Sequence, residues 1–193
     1  LRQFCSFQKR NAIKNNKFST IMIFLLVIAG LIALLLIVAL FMRKTHHVER
    51  EILINAPTQK VFDYLKLIKN QEQYNKWAKI DDNRKEEFKG IDGTVGYIYS
   101  WSGNKSAGEG EKEIKNIVDG KRIELEYRFV KPFKVTADFV TTTESLPNNK
   151  TKVTWSNTSS LFYPLNIMVP MVERSLAKDM DESLNTLKNI LEK

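Results

Sequence analysis

The chain has 193 residues, with 30 Lys and Arg against 22 Asp and Glu and a formal charge of +8. Its single cysteine, Cys5, excludes an intramolecular disulfide. Seven of the 30 bases and none of the acids fall in residues 1–47; the other 23 bases face all 22 acids, so residues 48–193 lack the excess positive charge a nucleic-acid face needs.

Residues 1–20 form a basic tail carrying Arg2, Lys9, Arg10, Lys14 and Lys17. From Ile21 to Met42 all 22 residues are apolar or glycine. As a helix rising ~1.5 Å per residue this run covers roughly 33 Å, enough for a hydrocarbon core ~30 Å thick. A cleaved leader has an apolar region of ~7–15 residues closed by a small-x-small site. This run is longer and ends Ala39-Leu40-Phe41-Met42-Arg43, so a retained transmembrane helix is predicted over 21–42. Five bases precede it and Arg43, Lys44 and Arg50 follow it. The bias predicts a single-pass protein of the cell (inner) membrane, tail cytoplasmic and domain extracytoplasmic. Cys5 precedes the apolar run rather than following it and reads as an unmodified thiol. Residues 43–47 read as a linker. His46 and His47 have no further ligands at metal-binding spacing, and no metal is expected.

Residues 48–193 have the size of one domain. Val48–Ile54 reads as a strand with Val48, Arg50, Ile52 and Ile54 on one face. Pro57 starts a helix holding Val61, Phe62, Leu65 and Ile68, and a second short helix covers Asn70–Trp77. Strands dominate from Arg84. Thr94–Ser102 sets Val95, Tyr97, Tyr99 and Trp101 on one face; Gly108–Val118 follows, and Asp119-Gly120 is a hairpin turn. In Arg122–Val130, Ile123, Leu125, Tyr127 and Phe129 alternate with charged residues. Phe133–Thr143 places Phe133, Val135, Ala137 and Phe139 together, and Thr151–Ser159 carries Val153 and Trp155. Val172, Leu176, Met180, Leu184, Leu187 and Leu191 then form the apolar stripe of a long C-terminal helix. An antiparallel sheet with one apolar face needs cover, and only this helix is long enough to give it. The expected class is α+β, a curved sheet gripping a helix with a cavity between them.

This order resembles the START-like, or SRPBCC, superfamily near its polyketide cyclase/dehydrase-type branch. The resemblance rests on Ile54-Asn55-Ala56-Pro57 with Val61-Phe62-Asp63-Tyr64, on Trp77, and on Gly93-Thr94-Val95-Gly96. Trp101-Ser102-Gly103-Asn104, Gly108-Glu109-Gly110, Lys131-Pro132-Phe133, Trp155, and Leu184 with Leu187-Lys188 and Glu192 complete it. Members often carry Trp-x-Pro-Trp after the second helix; here Asn75-Lys76-Trp77-Ala78 has one Trp and no Pro. The resemblance implies a helix-grip (Bet v 1-like, START-like) fold with an internal hydrophobic pocket. It leaves activity open, because such folds host carriers, receptors and enzymes.

Residues 48–193 contain no His and no Cys. Ser-His-Asp and Cys-His nucleophilic sites, and zinc sites built on His or Cys, are therefore excluded there. No phosphate-cradling glycine motif is present, and no cofactor is expected. Carboxylate, Tyr or Lys acid–base chemistry remains. Glu109, Glu111 and Glu113 share one strand face, read as a solvated outer face, with a carboxylate turned into the pocket as the catalytic alternative. The expected role is a membrane-anchored module binding a lipid or other hydrophobic small molecule. The alternative is a polyketide cyclase/dehydratase-like enzyme. The expected pocket lining is Tyr97, Tyr99, Tyr127, Phe129, Phe139, Trp155, Met180 and Leu184. Partners are the apolar ligand and the membrane through residues 21–42, with no nucleic acid and no oligomer expected.

Overall fold

The computed structural model describes residues 2–81 and 83–193, with side chains described from Ile21 onward. The charges of the basic tail and the thiol of Cys5 lie outside the described side chains. Helix α1 (Arg2–Phe41) includes one stretch, Ile21–Phe41, long and apolar enough to cross a membrane. The helix ends one residue before Met42.

Strand β1 (Thr45–Ile54) starts three residues earlier than expected. The five-residue linker therefore shortens to Arg43 and Lys44. The reason is the alternation already seen at Val48: one step back along the same face lies His46, which is buried. Its Nε2 sits 3.1 Å from Asn157 Oδ1.

Helix α2 (Thr58–Leu65) buries Val61, Phe62 and Leu65, and Pro57 stands at its N-cap. Helix α3 (Ile68–Tyr74) starts two residues before the expected position. The Asp92 carboxylate explains the early start. It accepts from the backbone N–H of Ile68 at 2.8 Å and of Lys69 at 3.1 Å, satisfying donors the helix leaves unpaired. A 3₁₀ turn at Lys76–Lys79 follows, capped by Asn75, whose side chain accepts from Trp77 N.

Six further strands complete the sheet: β2 (Lys85–Lys89), β3 (Ile98–Ser102), β4 (Glu109–Val118), β5 (Arg122–Lys131), β6 (Val135–Leu146) and β7 (Lys150–Ser160). The order is β1-β7-β6-β5-β4-β3-β2, and every neighbouring pair is antiparallel. Strand β3 begins at Ile98, not Thr94, because Gly93 and Gly96 hold φ of +79° and +86° and bend the chain before it. Val95 consequently stands exposed rather than sharing the face of Tyr97 and Tyr99. Strand β6 likewise begins at Val135, which leaves Phe133 exposed in the β5–β6 turn.

Helix α4 (Val169–Leu191) lies across the concave face of the sheet. Its second half buries Met180, Leu184, Leu187 and Leu191 in the core with Val61, Phe62, Ile68, Ile114 and Val153. Its first half does not fill the space beneath it. The helix-grip arrangement is thus solid at one end and hollow at the other.

Candidate functional site

The hollow end is a cavity of about 610 Å³, within the range of ligand pockets. Strands β3 to β7 supply one wall, and Val172, Ser175, Leu176 and Asp179 of α4 supply the other. Period-2 alternation puts Tyr127 and Phe129 of β5 beside Ala137 and Phe139 of β6. The rings of Tyr127 and Phe139 lie 4.4 Å apart, and Trp101 meets Phe129 edge-on at 5.8 Å. Trp77, brought in by the 3₁₀ turn, closes the side. Its Nε1 donates to Asp179 Oδ2 at 3.3 Å, and Lys76 Nζ lies 3.1 Å from Asp179 Oδ1, tying that turn to α4.

The wall is interrupted by one charged cluster. Lys112 of β4 is only 3% exposed, and its Nζ donates to Glu72 Oε1 at 2.9 Å. The same ammonium lies 4.7 Å from the Tyr99 ring centroid and 5.8 Å from that of Tyr127. The Arg84 guanidinium pairs with Glu72 and, at 2.8 Å, with Glu86; Tyr99 Oη donates to Glu86 at 2.9 Å. Burial lowers the Lys112 pKa, opposed by the Glu72 carboxylate. Burial and then Glu72 raise that of Tyr99. A charged lysine persists here because aromatic faces and a carboxylate replace the water it lost.

A second polar station is His46 with Asn157, both buried and both on the cavity wall. Asn157 Oδ1 can only accept, so Nε2 carries the proton. Nδ1 has no partner among the described residues.

Of the eight residues expected to line the pocket, Tyr99, Tyr127, Phe129 and Phe139 do so. Tyr97, Trp155, Met180 and Leu184 do not. Tyr97 lies behind the bend preceding β3, with its hydroxyl unpartnered among the described residues and its pKa pushed up to about 12 by burial. Trp155 packs at 6.1 Å against Trp77 and 5.9 Å against Phe139, plugging the boundary between cavity and core. Met180 and Leu184 belong to the solid half of α4. Glu111 and Glu113 face outward and pair with Arg128 at 2.6 and 2.8 Å. Glu109 pairs with Lys131 at 2.6 Å.

Sequence reading missed Lys112, Glu72, Arg84, His46 and Asn157. A signal for Lys112 was present: if Glu111 and Glu113 face outward, Lys112 between them must face inward. Glu72 had no such signal, since it lies 40 residues away on another element. Among the described residues no group of His, Cys, Asp or Glu is placed to hold a metal ion.

Solved structures share this architecture at low sequence identity. Norcoclaurine synthase from Thalictrum flavum aligns with a TM-score of 0.60 and 12% identity, over 79% of this chain and 97% of its own. Protein CV1439 from Chromobacterium violaceum gives 0.56 and 13%, over 76% and 97%. Ara h 8.0201 gives 0.55 and 15%, again over 76% and 97%. These likenesses establish the Bet v 1-like fold. No curated protein matches the chain. The family described as "Polyketide cyclase / dehydrase and lipid transport" matches residues 45–192, which starts at the first residue of β1 and runs past the end of α4. By that match over most of its length, the chain belongs to the polyketide cyclase/dehydrase and lipid transport family of the SRPBCC superfamily.

Proposed function

We propose that the chain is a membrane-tethered binding module that holds a hydrophobic small molecule or lipid in the cavity under α4. The observation that carries this reading is the cavity itself: an aromatic wall of Trp77, Trp101, Tyr127, Phe129 and Phe139 with a buried, internally neutralised charged cluster. Removing apolar surface from water stabilises by ~25 cal/mol per Å², so such a wall binds an apolar guest without an ionic contact. In the cluster Lys112 and Arg84 balance Glu72 and Glu86. With no unpaired charge left in it, the cluster favours a guest whose polar end is a hydroxyl or amide over a free anion. The apolar helix supports the tether: it holds the cavity beside a bilayer, where apolar guests concentrate.

Native mass spectrometry of the full chain, extracted in mild detergent from its own membranes, tests the reading. The expected result is a discrete lipid-sized adduct that is lost in Ala137→Phe, a change that fills the cavity while circular dichroism stays unchanged. No adduct on the unaltered chain overturns it.

A second reading, a cyclase/dehydratase-like enzyme, is favoured by one observation. An amine whose pKa burial lowers faces an apolar cavity beside the Tyr99 phenol, as general acid–base chemistry requires. Turnover of a polyketide-like substrate that vanishes in Lys112→Met, with adduct binding retained, would establish it.

A further inference from the structure

We infer that the mouth of the cavity lies against the bilayer surface at the point where α1 emerges, so that guests pass between cavity and lipid without crossing water. The inference rests on α1 as a membrane span and on the cavity as a binding site. Three observations place the mouth there.

First, the segment that follows β7 holds the end of α1. The Asn166 amide donates to the carbonyls of Ala39 at 2.6 Å and Met42 at 2.9 Å. Leu161 N donates to Lys44 O at 2.9 Å, and Arg43 pairs with Glu173 in the first turns of α4. One of these anchors, the Ala39 carbonyl, lies in the last turn of the apolar helix and another, that of Met42, one residue beyond it, so residues 161–173 stand at the level where that helix leaves the hydrocarbon.

Second, the same segment forms the cavity rim. Leu161, Met171 and Val172 line the cavity together with Lys131 at the end of β5, Pro132 of the β5–β6 turn and Ser106 of the β3–β4 turn. The strand register agrees. Thr45 pairs with Ser160 at this end of the sheet, whereas Ile54 pairs with Thr151 beside the β6–β7 turn at the other. At ~3.3 Å per residue the two ends of β1 lie roughly 30 Å apart.

Third, the rim presents surface suited to a membrane and nothing covers it among the described residues. Phe133 is 56% exposed, Phe162 53% and Met171 61%, with Tyr163 and Met168 beside them. Arg43, Lys44, Lys131 and Lys134 are exposed around these side chains. Aromatic and Met side chains ringed by Lys and Arg match the interfacial zone of a bilayer with anionic headgroups. An exposed apolar surface of this kind marks an interaction site. The continuity of the rim with α1 identifies the bilayer as its occupant.

The test uses the full chain in a Cys5→Ser background, reconstituted into vesicles of equimolar phosphatidylcholine and phosphatidylglycerol. Bimane is attached in turn at Phe133→Cys, Met171→Cys and, as the distant control, Lys150→Cys. A fraction of the lipid carries a nitroxide near the headgroup end of its acyl chain. The expected result is strong quenching at Phe133→Cys and Met171→Cys and almost none at Lys150→Cys. Equal, weak quenching at all three sites, with the chain retained in the membrane after alkaline carbonate, overturns the docking. So does emission at the rim that changes with protein density instead of nitroxide, which marks a second copy as the occupant. A chain washed out by carbonate overturns it through α1. Strong rim quenching in a chain that carries no adduct would leave the docking standing and refute only the binding function.

Discussion

Lys112 is the residue on which most of the site's behaviour turns. It is buried, charged and held by a single carboxylate, Glu72, which Arg84 shares. Removing the lysine leaves Glu72 still paired with Arg84. Removing the carboxylate leaves a buried ammonium with no counter-charge. Breaking a buried pair in that way costs about 3–5 kcal/mol. Glu72→Gln should therefore lower the melting temperature clearly more than Lys112→Met, and equal shifts would contradict the assignment. The pH dependence has a definite sign. Burial holds Lys112 below the ordinary value of 10.5, so on the alkaline side the unfolded chain binds more protons than the folded one. Stability from this group therefore rises with pH until the tyrosines intervene. Tyr99 and Tyr127 are raised above their ordinary 10.0, and from there upward they act in the opposite sense. Subtracting the profile of Lys112→Met from that of the unaltered chain should isolate a rising limb that ends near the ordinary lysine value of 10.5. Tyr97 gives a simpler case. Its buried hydroxyl has no partner among the described residues, so Tyr97→Phe should leave stability unchanged or raise it by up to ~1 kcal/mol in chemical denaturation.

At the level of elements, alternation and helical spacing carried most of the information. The stripe from Val172 to Leu191 is one continuous helix, and its inner strands alternate as their residues dictate. What the stripe could not reveal is that its two halves do different things. Leu176 and Leu184 share the spacing, but one borders empty space and the other packs into the core at 2% exposure. Periodicity reports which face points inward and not whether anything meets it there. Spacing alone therefore sets Met180, Leu184 and Trp155 among the pocket lining, where packing sets them in or beside the core. Element boundaries shift where a long-range partner sets them, as Asp92 does for the start of α3. The division of α4 is testable. Leu184→Ala should cost about 2–5 kcal/mol, as for other core leucines, while Leu176→Ala should cost distinctly less because it enlarges an existing space. Asn166→Ala removes two hydrogen bonds from the end of α1, at about 1 kcal/mol each. The variant should be cut faster by trypsin at Arg43 or Lys44 in reconstituted vesicles.

For the molecule as a whole, the charge asymmetry predicts the arrangement of tail and domain. Protease added to intact cells or spheroplasts should remove the domain and leave a short membrane-held fragment. Protection of the domain until lysis would reverse the orientation. The sheet order carries a further consequence, for biosynthesis. Strands β2 to β7 follow one another as a meander, each pairing with the strand made just before it. Strand β1 is the exception: its partner is β7, with Thr45 opposite Ser160. A ribosome must therefore deliver the 95 residues between Ile54 and Lys150 before that strand can begin to pair. Closure of so long a loop is slow relative to local hairpins. During that interval β1 waits unpaired, directly after the end of α1. The nascent chain thus carries one strand edge open throughout that interval, and the sheet is complete only when its first and last strands meet.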